Sequence, residues 1–218
     1  MISIMDSNQV TISPSKAPPS GGGVGIITYG AGNIFSLTAA LERLGIPYGM
    51  INTKEDFEKF DRYIIPGVGH AGAAMHKLEQ TGLVPTIKGL QKPTLGICVG
   101  MQLLTSYSEE GDSDLLGIFP IKTLKFKDSP TLKVPHTGWN QVFPEKENPL
   151  FQNIPSGSHF YFVHSYFIEY DKAYTLLSAT YGNEFSASIW HDNFYGVQFH
   201  PEKSGLYGET LLTNFSKL

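Results

Sequence analysis

The run Thr94-Leu95-Gly96-Ile97-Cys98-Val99-Gly100-Met101-Gln102 leaves the backbone little choice. Its first four residues are apolar enough for a buried strand, and Val99 to Leu104 read as the opening turns of a helix. Cys98 stands where the direction changes. Gly96 and Gly100 flank it in a bend so tight that a Cβ at either position would strike the neighbouring strand or helix. The sulfur is thereby lifted above a sheet edge, beside helix N–H groups that favour a thiolate.

This bend alone does not make a nucleophile. A free thiol with a pKa of about 8.5 is only a few per cent ionised at neutral pH, and half ionisation there needs about 2 kcal/mol. An exposed helix end gives about 0.3–1 kcal/mol. A working Cys98 therefore requires a histidine; without one it is an inert buried thiol, a common state for cysteine.

Around this bend the chain alternates. Val24 to Thr28 is an apolar strand, and Tyr29-Gly30-Ala31-Gly32-Asn33 is a glycine-rich turn. Ile34, Leu37, Leu41 and Leu44 recur at helical spacing until Gly45. Strands are expected at Pro47 to Ile51 and Tyr63 to Ile65, the latter ending in Pro66-Gly67-Val68-Gly69-His70. Thr53 and Asp56 form a capping box, and helices are expected over Ala73 to Glu79 and Leu83 to Leu90. This β-α-β-α order predicts an α/β fold with a mostly parallel central sheet and helices on both faces. Ligands of such sheets sit at the carboxyl ends of strands, so the Tyr29 turn, the Pro66 turn and Cys98 are expected to converge.

From Gly117 onward shorter strands are expected, as extra antiparallel members: Ile118 to Phe126, Gln141 to Phe143, Phe160 to Val163, Tyr174 to Ala179, Ser186 to Trp190 and Tyr195 to Phe199. A last helix covers Leu206 to Phe215. With no second core or linker, residues 24–218 read as a single domain. Residues 1–23, rich in Ser, Pro and Gly, read as a flexible arm.

Composition narrows the function classes. At 218 residues, 41% hydrophobic and 17% charged, the chain is that of a soluble globular protein, and its net charge of −4 argues against nucleic acid as a partner. No stretch is long and apolar enough to span a membrane. One cysteine permits no internal disulfide, and the start lacks the regions of a secretory signal, which together point to the cytoplasm. The 7 histidines show no spacing that suggests a metal site, and no cofactor is expected.

The partner for Cys98 is sought among those histidines. His200 follows an apolar strand and precedes Pro201, which cannot donate to a ladder, so it sits at a strand terminus. Glu202 can reach back to the imidazole, fix its tautomer and stabilise its cation. For His136 and His164, the simpler reading is that they satisfy hydrogen bonds near aromatic strands.

Gly-Ile-Cys-Val-Gly-Met-Gln at 96–102 with Phe-His-Pro-Glu at 199–202 resembles the two signatures of the class I (triad) glutamine amidotransferases. Tyr-Gly-x-Gly-Asn at 29–33, Pro-Gly-Val-Gly at 66–69, Pro-His-Thr-Gly-Trp-Asn at 135–140 and His-Pro-Glu-Lys-Ser-Gly at 200–205 resemble, within that family, the glutaminase subunits of imidazole glycerol phosphate synthase. Those subunits usually carry methionine where Thr137 stands. The resemblance covers about residues 24–218 and implies that family's fold.

The resemblance also implies roles. Cys98 would attack the side-chain amide of L-glutamine, His200 would move the protons and Glu202 would orient His200. Val99 and the Gly67 and Gly69 region would supply the oxyanion hole, switched by a peptide flip that glycines permit cheaply. Gln102 would hold the substrate's amino-acid end. Ammonia would pass to a (β/α)8 cyclase subunit, in a heterodimer making imidazole glycerol phosphate and AICAR for histidine biosynthesis. Asn33, Thr137, Trp139, Asn140, Tyr161 and Lys203, together with His136, would serve that partner surface rather than the chemistry. The alternatives are a sister glutaminase feeding another synthase, which Thr137 leaves open, and a catalytically silent scaffold, which the intact Cys98, His200 and Glu202 oppose. A cysteine peptidase on a related bend is opposed by Gln102 and the His-Pro-Glu order.

Overall fold

The computed structural model describes residues 22–127, 130 and 132–218; the arm expected over 1–23 lies outside them except for Gly22 and Gly23. The expected alternation is present. β1 (Val24–Ile27) leads through α1 (Ile34–Arg43) to β2 (Tyr48–Ile51), and β3 (Arg62–Gly67) leads through α2 (Ala71–Gln80) and α3 (Val84–Lys88) to β4 (Thr94–Cys98). Every residue of β1 and β4 is buried, as strands covered on both faces require. Asn33 caps α1 through its side-chain oxygen, and the Thr53/Asp56 box opens a short 3-10 turn.

After β4 the chain runs through α4 (Val99–Leu103), β5 (Thr105–Ser108), β6 (Ser113–Asp114) and β7 (Phe119–Lys125). Then come β8 (His136–Gln141), β9 (Phe143–Pro144), β10 (His159–His164), β11 (Tyr166–Ile168), β12 (Thr175–Tyr181), β13 (Asn183–His191), β14 (Phe194–Val197) and α5 (Gly205–Phe215). The main sheet runs β2-β1-β3-β4-β14-β13-β11-β7-β5-β6. Its first five strands are parallel to one another, and β14 is antiparallel to β13. From β13 to β7 the pairing is antiparallel, β12 joins beside β13, and β8 with β10 forms a separate hairpin.

Two consequences of this order position the site. β4 lies between β3 and β14, with Gly67 level with Cys98 and Val197 level with Ile97, so the carboxyl ends of three strands meet. β14 stops at Val197, two residues sooner than its apolar run suggests. Beyond it the Gln198 N–H bonds to Ala187 and the His200 N–H to the Tyr161 carbonyl, so the chain leaves β4 for β10. Among the described residues no helix is long and apolar enough to cross a membrane.

Candidate active site

Cys98 has φ 55° and ψ −112°, a conformation that costs a non-glycine residue on the order of 1–3 kcal/mol. Close packing imposes it. A Cβ on Gly96 would lie 2.5 Å from the Gly100 carbonyl oxygen, and one on Gly67 would lie 2.4 Å from the Gly100 nitrogen. The sharp bend is therefore clamped from both strands. The helix that follows has only five residues, because Thr105 already begins β5, so its dipole contributes less than the sequence suggested.

His200 is buried beside this bend. Its Nδ1 lies 2.8 Å from Glu202 Oε1, and since a carboxylate only accepts, Nδ1 carries a proton and Nε2 is left for the thiol. Ser204 fastens the loop: its hydroxyl donates to the His200 carbonyl at 2.6 Å and accepts from the Tyr161 N–H at 3.0 Å. Burial favours the neutral ring. Hydrogen bonds with Cys98 and Glu202, and the negative charge of both, outweigh burial and raise the His200 pKa to about 10. At neutral pH the arrangement keeps His200 as an imidazolium beside the sulfur.

A cavity of about 320 Å³ opens onto Cys98 and is lined by Val68, Gly69, Gln102, Glu110, Tyr166 and Lys203, among others. A groove of about 550 Å³ along Val142, Phe151 and Leu177 is larger but holds neither thiol nor imidazole. In the active cavity Gln102 Nε2 donates to the Tyr166 carbonyl at 3.2 Å and to Gln198 Oε1 at 3.1 Å. Its Oε1 is buried with no partner among the described residues. Glu110, whose carboxylate accepts from the Ala71 N–H at 2.6 Å, adds an anionic group suited to an ammonium. The Tyr29 hydroxyl donates to the Pro66 carbonyl, which ties the glycine-rich turn to the Pro66 turn as expected. Burial, and then the charge of Cys98, raise the Tyr29 pKa, so the hydroxyl stays protonated.

His164 also lines the cavity but is not a base for Cys98. Its Nδ1 faces the Tyr166 carbonyl at 2.7 Å and must donate, and its Nε2 therefore accepts from His136 Nδ1 at 2.9 Å. Burial lowers the pKa of His136 to about 4 and of His164 to about 3. Both rings stay neutral in the fold, so their stabilisation is complete above about pH 6.5 and is lost as the pH falls toward those values. Between pH 7 and pH 5 the pair is expected to account for a loss of about 2–4 kcal/mol, read from urea midpoints. A double variant, H136Q/H164Q, should lose less over that interval; equal losses would remove the pair from this account.

The residues expected at a partner surface divide. Thr137, Trp139 and Lys203 are exposed, and Tyr161 is half-buried with its ring edge-on to Trp139. Asn140 donates to the Thr180 carbonyl at 3.0 Å and accepts from the Gln141 N–H, and Asn33 is occupied with Ser36. His136 is buried in the aromatic hairpin, so the surface role expected for it is not available. Sequence reasoning missed Gln198, Glu110, Ser204 and Val163. For Gln198 the sequence offered only a weak signal, a polar residue inside an apolar run two places before His200.

A family model described as Glutamine amidotransferase class-I matches residues 26–217. The imidazole glycerol phosphate synthase subunit HisH of Idiomarina loihiensis is 47% identical over 186 residues, covering 85% of this chain and 93% of that protein. Its namesake in Pasteurella multocida is 46% identical over 190 residues, covering 87% and 95%. Among solved structures, PurLQS from Thermotoga maritima aligns with a TM-score of 0.66 at 18% identity, covering 89% of this chain and 97% of the other. A glutamine amidotransferase from the same organism aligns with a TM-score of 0.59 at 16% identity, covering 89% and 82%. These structural likenesses concern the fold.

Proposed function

The chain belongs to the class-I glutamine amidotransferase family, and from that membership we infer that it is the glutaminase subunit of an imidazole glycerol phosphate synthase. The observation that carries the chemistry is His200 between Cys98 and Glu202, with its proton held by their combined charge. The Cys98 thiolate attacks the side-chain carbonyl carbon of L-glutamine, and the carbonyl becomes an oxyanion. The Val99 N–H and the Gly67–Gly69 turn receive that charge. As the carbon–nitrogen bond breaks, His200 gives its proton to the departing nitrogen, which leaves as ammonia. Acylated Cys98 has lost the charge that held the His200 proton, so the neutral imidazole then takes a proton from water. Hydroxide attacks the thioester, releasing glutamate and restoring the thiolate.

Ammonia then passes to a (β/α)8 cyclase subunit in a cytoplasmic heterodimer serving histidine biosynthesis. A docking face is consistent with the exposed apolar residues around the cavity: Val68 and Val163 line it, and Trp139 stands 56% exposed on the same hairpin. Phe35 and Leu206, in the first turns of α1 and α5, are exposed as well, at 70% and 73%. Co-purification with such a cyclase, followed by glutaminase assay with and without the cyclase substrate, tests this reading. A complex whose glutamine hydrolysis rises with that substrate supports it; no association, or full activity of the chain alone, opposes it.

Gly69 is proposed as the switch of the oxyanion hole. It has φ +87° and nothing within 4 Å of where a Cβ would go, so a substitution there acts on the backbone and not on packing. Gly69→Val is expected to lower kcat by about 10²-fold, the usual effect of losing one oxyanion donor. Unchanged turnover would remove Gly69 from the hole.

A further inference from the structure

The Pro-Glu side of His200 is absorbed by the chemistry above; the residue two places before it is not. Gln198 is wholly buried, and the register explains its position. β14 and β4 run parallel with Val197 level with Ile97, so Gln198, the first residue beyond β14, follows next to Cys98 at the end of β4. Its Nε2 lies 3.8 Å from the Cys98 sulfur, within hydrogen-bond range for sulfur, and its Oε1 accepts from Gln102 Nε2 at 3.1 Å.

The direction of these amides follows from one backbone group. The Tyr166 carbonyl can only accept, so the Gln102 atom facing it must be nitrogen. The same NH2 group has one more hydrogen, and it points at Gln198, which must therefore present oxygen. Gln198 is left with its own NH2 toward the sulfur. The chain of donors ends on Cys98, and it leaves Gln102, which lines the cavity, with a buried Oε1 that has no partner among the described residues. The opposite assignment would set the Gln102 oxygen against the Tyr166 carbonyl oxygen, two acceptors with no hydrogen between them.

We propose that Gln198 is a further catalytic residue: its amide N–H holds the Cys98 sulfur as a thiolate, and its carbonyl oxygen fixes the orientation of the Gln102 amide at the cavity. This rests on the glutaminase reading only for the identity of the substrate; the effect on the sulfur does not. Around the sulfur, the Val163 carbonyl at 3.9 Å accepts from the thiol and so favours it over the thiolate. His200 opposes that with positive charge, and Glu202 lies behind His200. Tyr29, two residues beyond β1, is neutral, and Glu110 and Lys203 also line the cavity. Among the uncharged side chains named at the site, Gln198 alone offers the sulfur a side-chain donor. A neutral amide there strengthens the thiolate without competing for the proton His200 must carry.

Two variants separate the two faces of Gln198. Gln198→Glu keeps an oxygen toward Gln102 and replaces the donor on the sulfur by an acceptor. Gln198→Met keeps the length, adds no buried charge and loses both contacts, so it serves where the glutamate variant fails to fold. The first readout is the pH dependence of iodoacetamide alkylation of the full chain, which has 1 cysteine and therefore reports Cys98 alone. In both variants the half-point is expected to move up by about one to two pH units, the size of a hydrogen bond to a charged group. The second readout is glutamine hydrolysis by the complex with the cyclase partner. Gln198→Glu should lower kcat about ten- to hundred-fold with KM changed less than about threefold, whereas Gln198→Met should also raise KM. Folded variants with the wild-type alkylation profile and kcat would overturn the proposal. A wild-type complex that hydrolyses no glutamine would instead overturn the proposed function, leaving the alkylation profiles to decide the role of Gln198.

Discussion

Cys98→Ala is expected to lower glutamine-dependent synthesis by the complex about 10⁴-fold or more, by analogy with other nucleophile knock-outs, while synthesis from added ammonia continues. The size follows from the absence of a substitute. Cys98 is the chain's 1 cysteine, and His164, the other imidazole lining the cavity, has both nitrogens committed to Tyr166 and His136. Ammonia-dependent synthesis is preserved because alanine keeps the Cβ and adds nothing to the strained backbone at φ 55°. The variant carries its own internal check. Cys98 contributes to raising the His200 pKa, so its removal should lower that pKa below about 10, as a histidine titration by NMR would read. Retained glutaminase activity would refute Cys98 as nucleophile. An unchanged His200 titration would show that thiol and imidazole are not coupled.

The elements that were legible in the sequence are those fixed by local pattern. β1, β3 and β4 are short apolar runs bounded by glycine or proline, and α1 carries its period and its stop within a dozen residues. Cys98 and His200 were legible for the same reason: each is marked by its immediate neighbours, Gly96 and Gly100 for one, Pro201 for the other. What was not legible depends on pairing across the chain. β5 is brief and mostly polar and β11 is only three residues long, and they are strands because β7 pairs with both. α4 reads as a longer helix until its C-terminal end is claimed by β5. Gln198 looks like the interior of a strand, and its contact with the sulfur exists only through the β14–β4 register. For His136 the simpler of its two readings holds: it hydrogen-bonds to His164 and is buried with Phe162 and Tyr181 stacked on it, so the surface role does not apply.

The other large effect belongs to the bend itself. A Cβ on Gly100 would lie 1.8 Å from the Ile65 carbonyl oxygen, far inside contact distance. Neither party can yield cheaply: Ile65 is in β3, held between β1 and β4, and Gly100 is in the helix that begins at the nucleophile. Gly100→Ala is therefore expected to cost about 3 kcal/mol or more, at the upper end of overpacking effects. For a domain of this size that is a fall in Tm of roughly 6–12 °C, measurable by calorimetry. Relief of the clash would push α4 away from β3, and Cys98 and the facing Gly67 would separate with it, so surviving folded protein should also lose turnover. Gly89→Ala is the control. Gly89 ends α3 at φ −92° and its added Cβ would come no closer than 3.5 Å to any other atom, so its cost should stay within about 0.5 kcal/mol. If the two alanines cost the same, the glycine at 100 is there for reasons unconnected with close approach. If only Gly100→Ala is costly, the strand-to-helix clamp is what holds the sulfur in place, and the strain at Cys98 is sustained by packing two residues away.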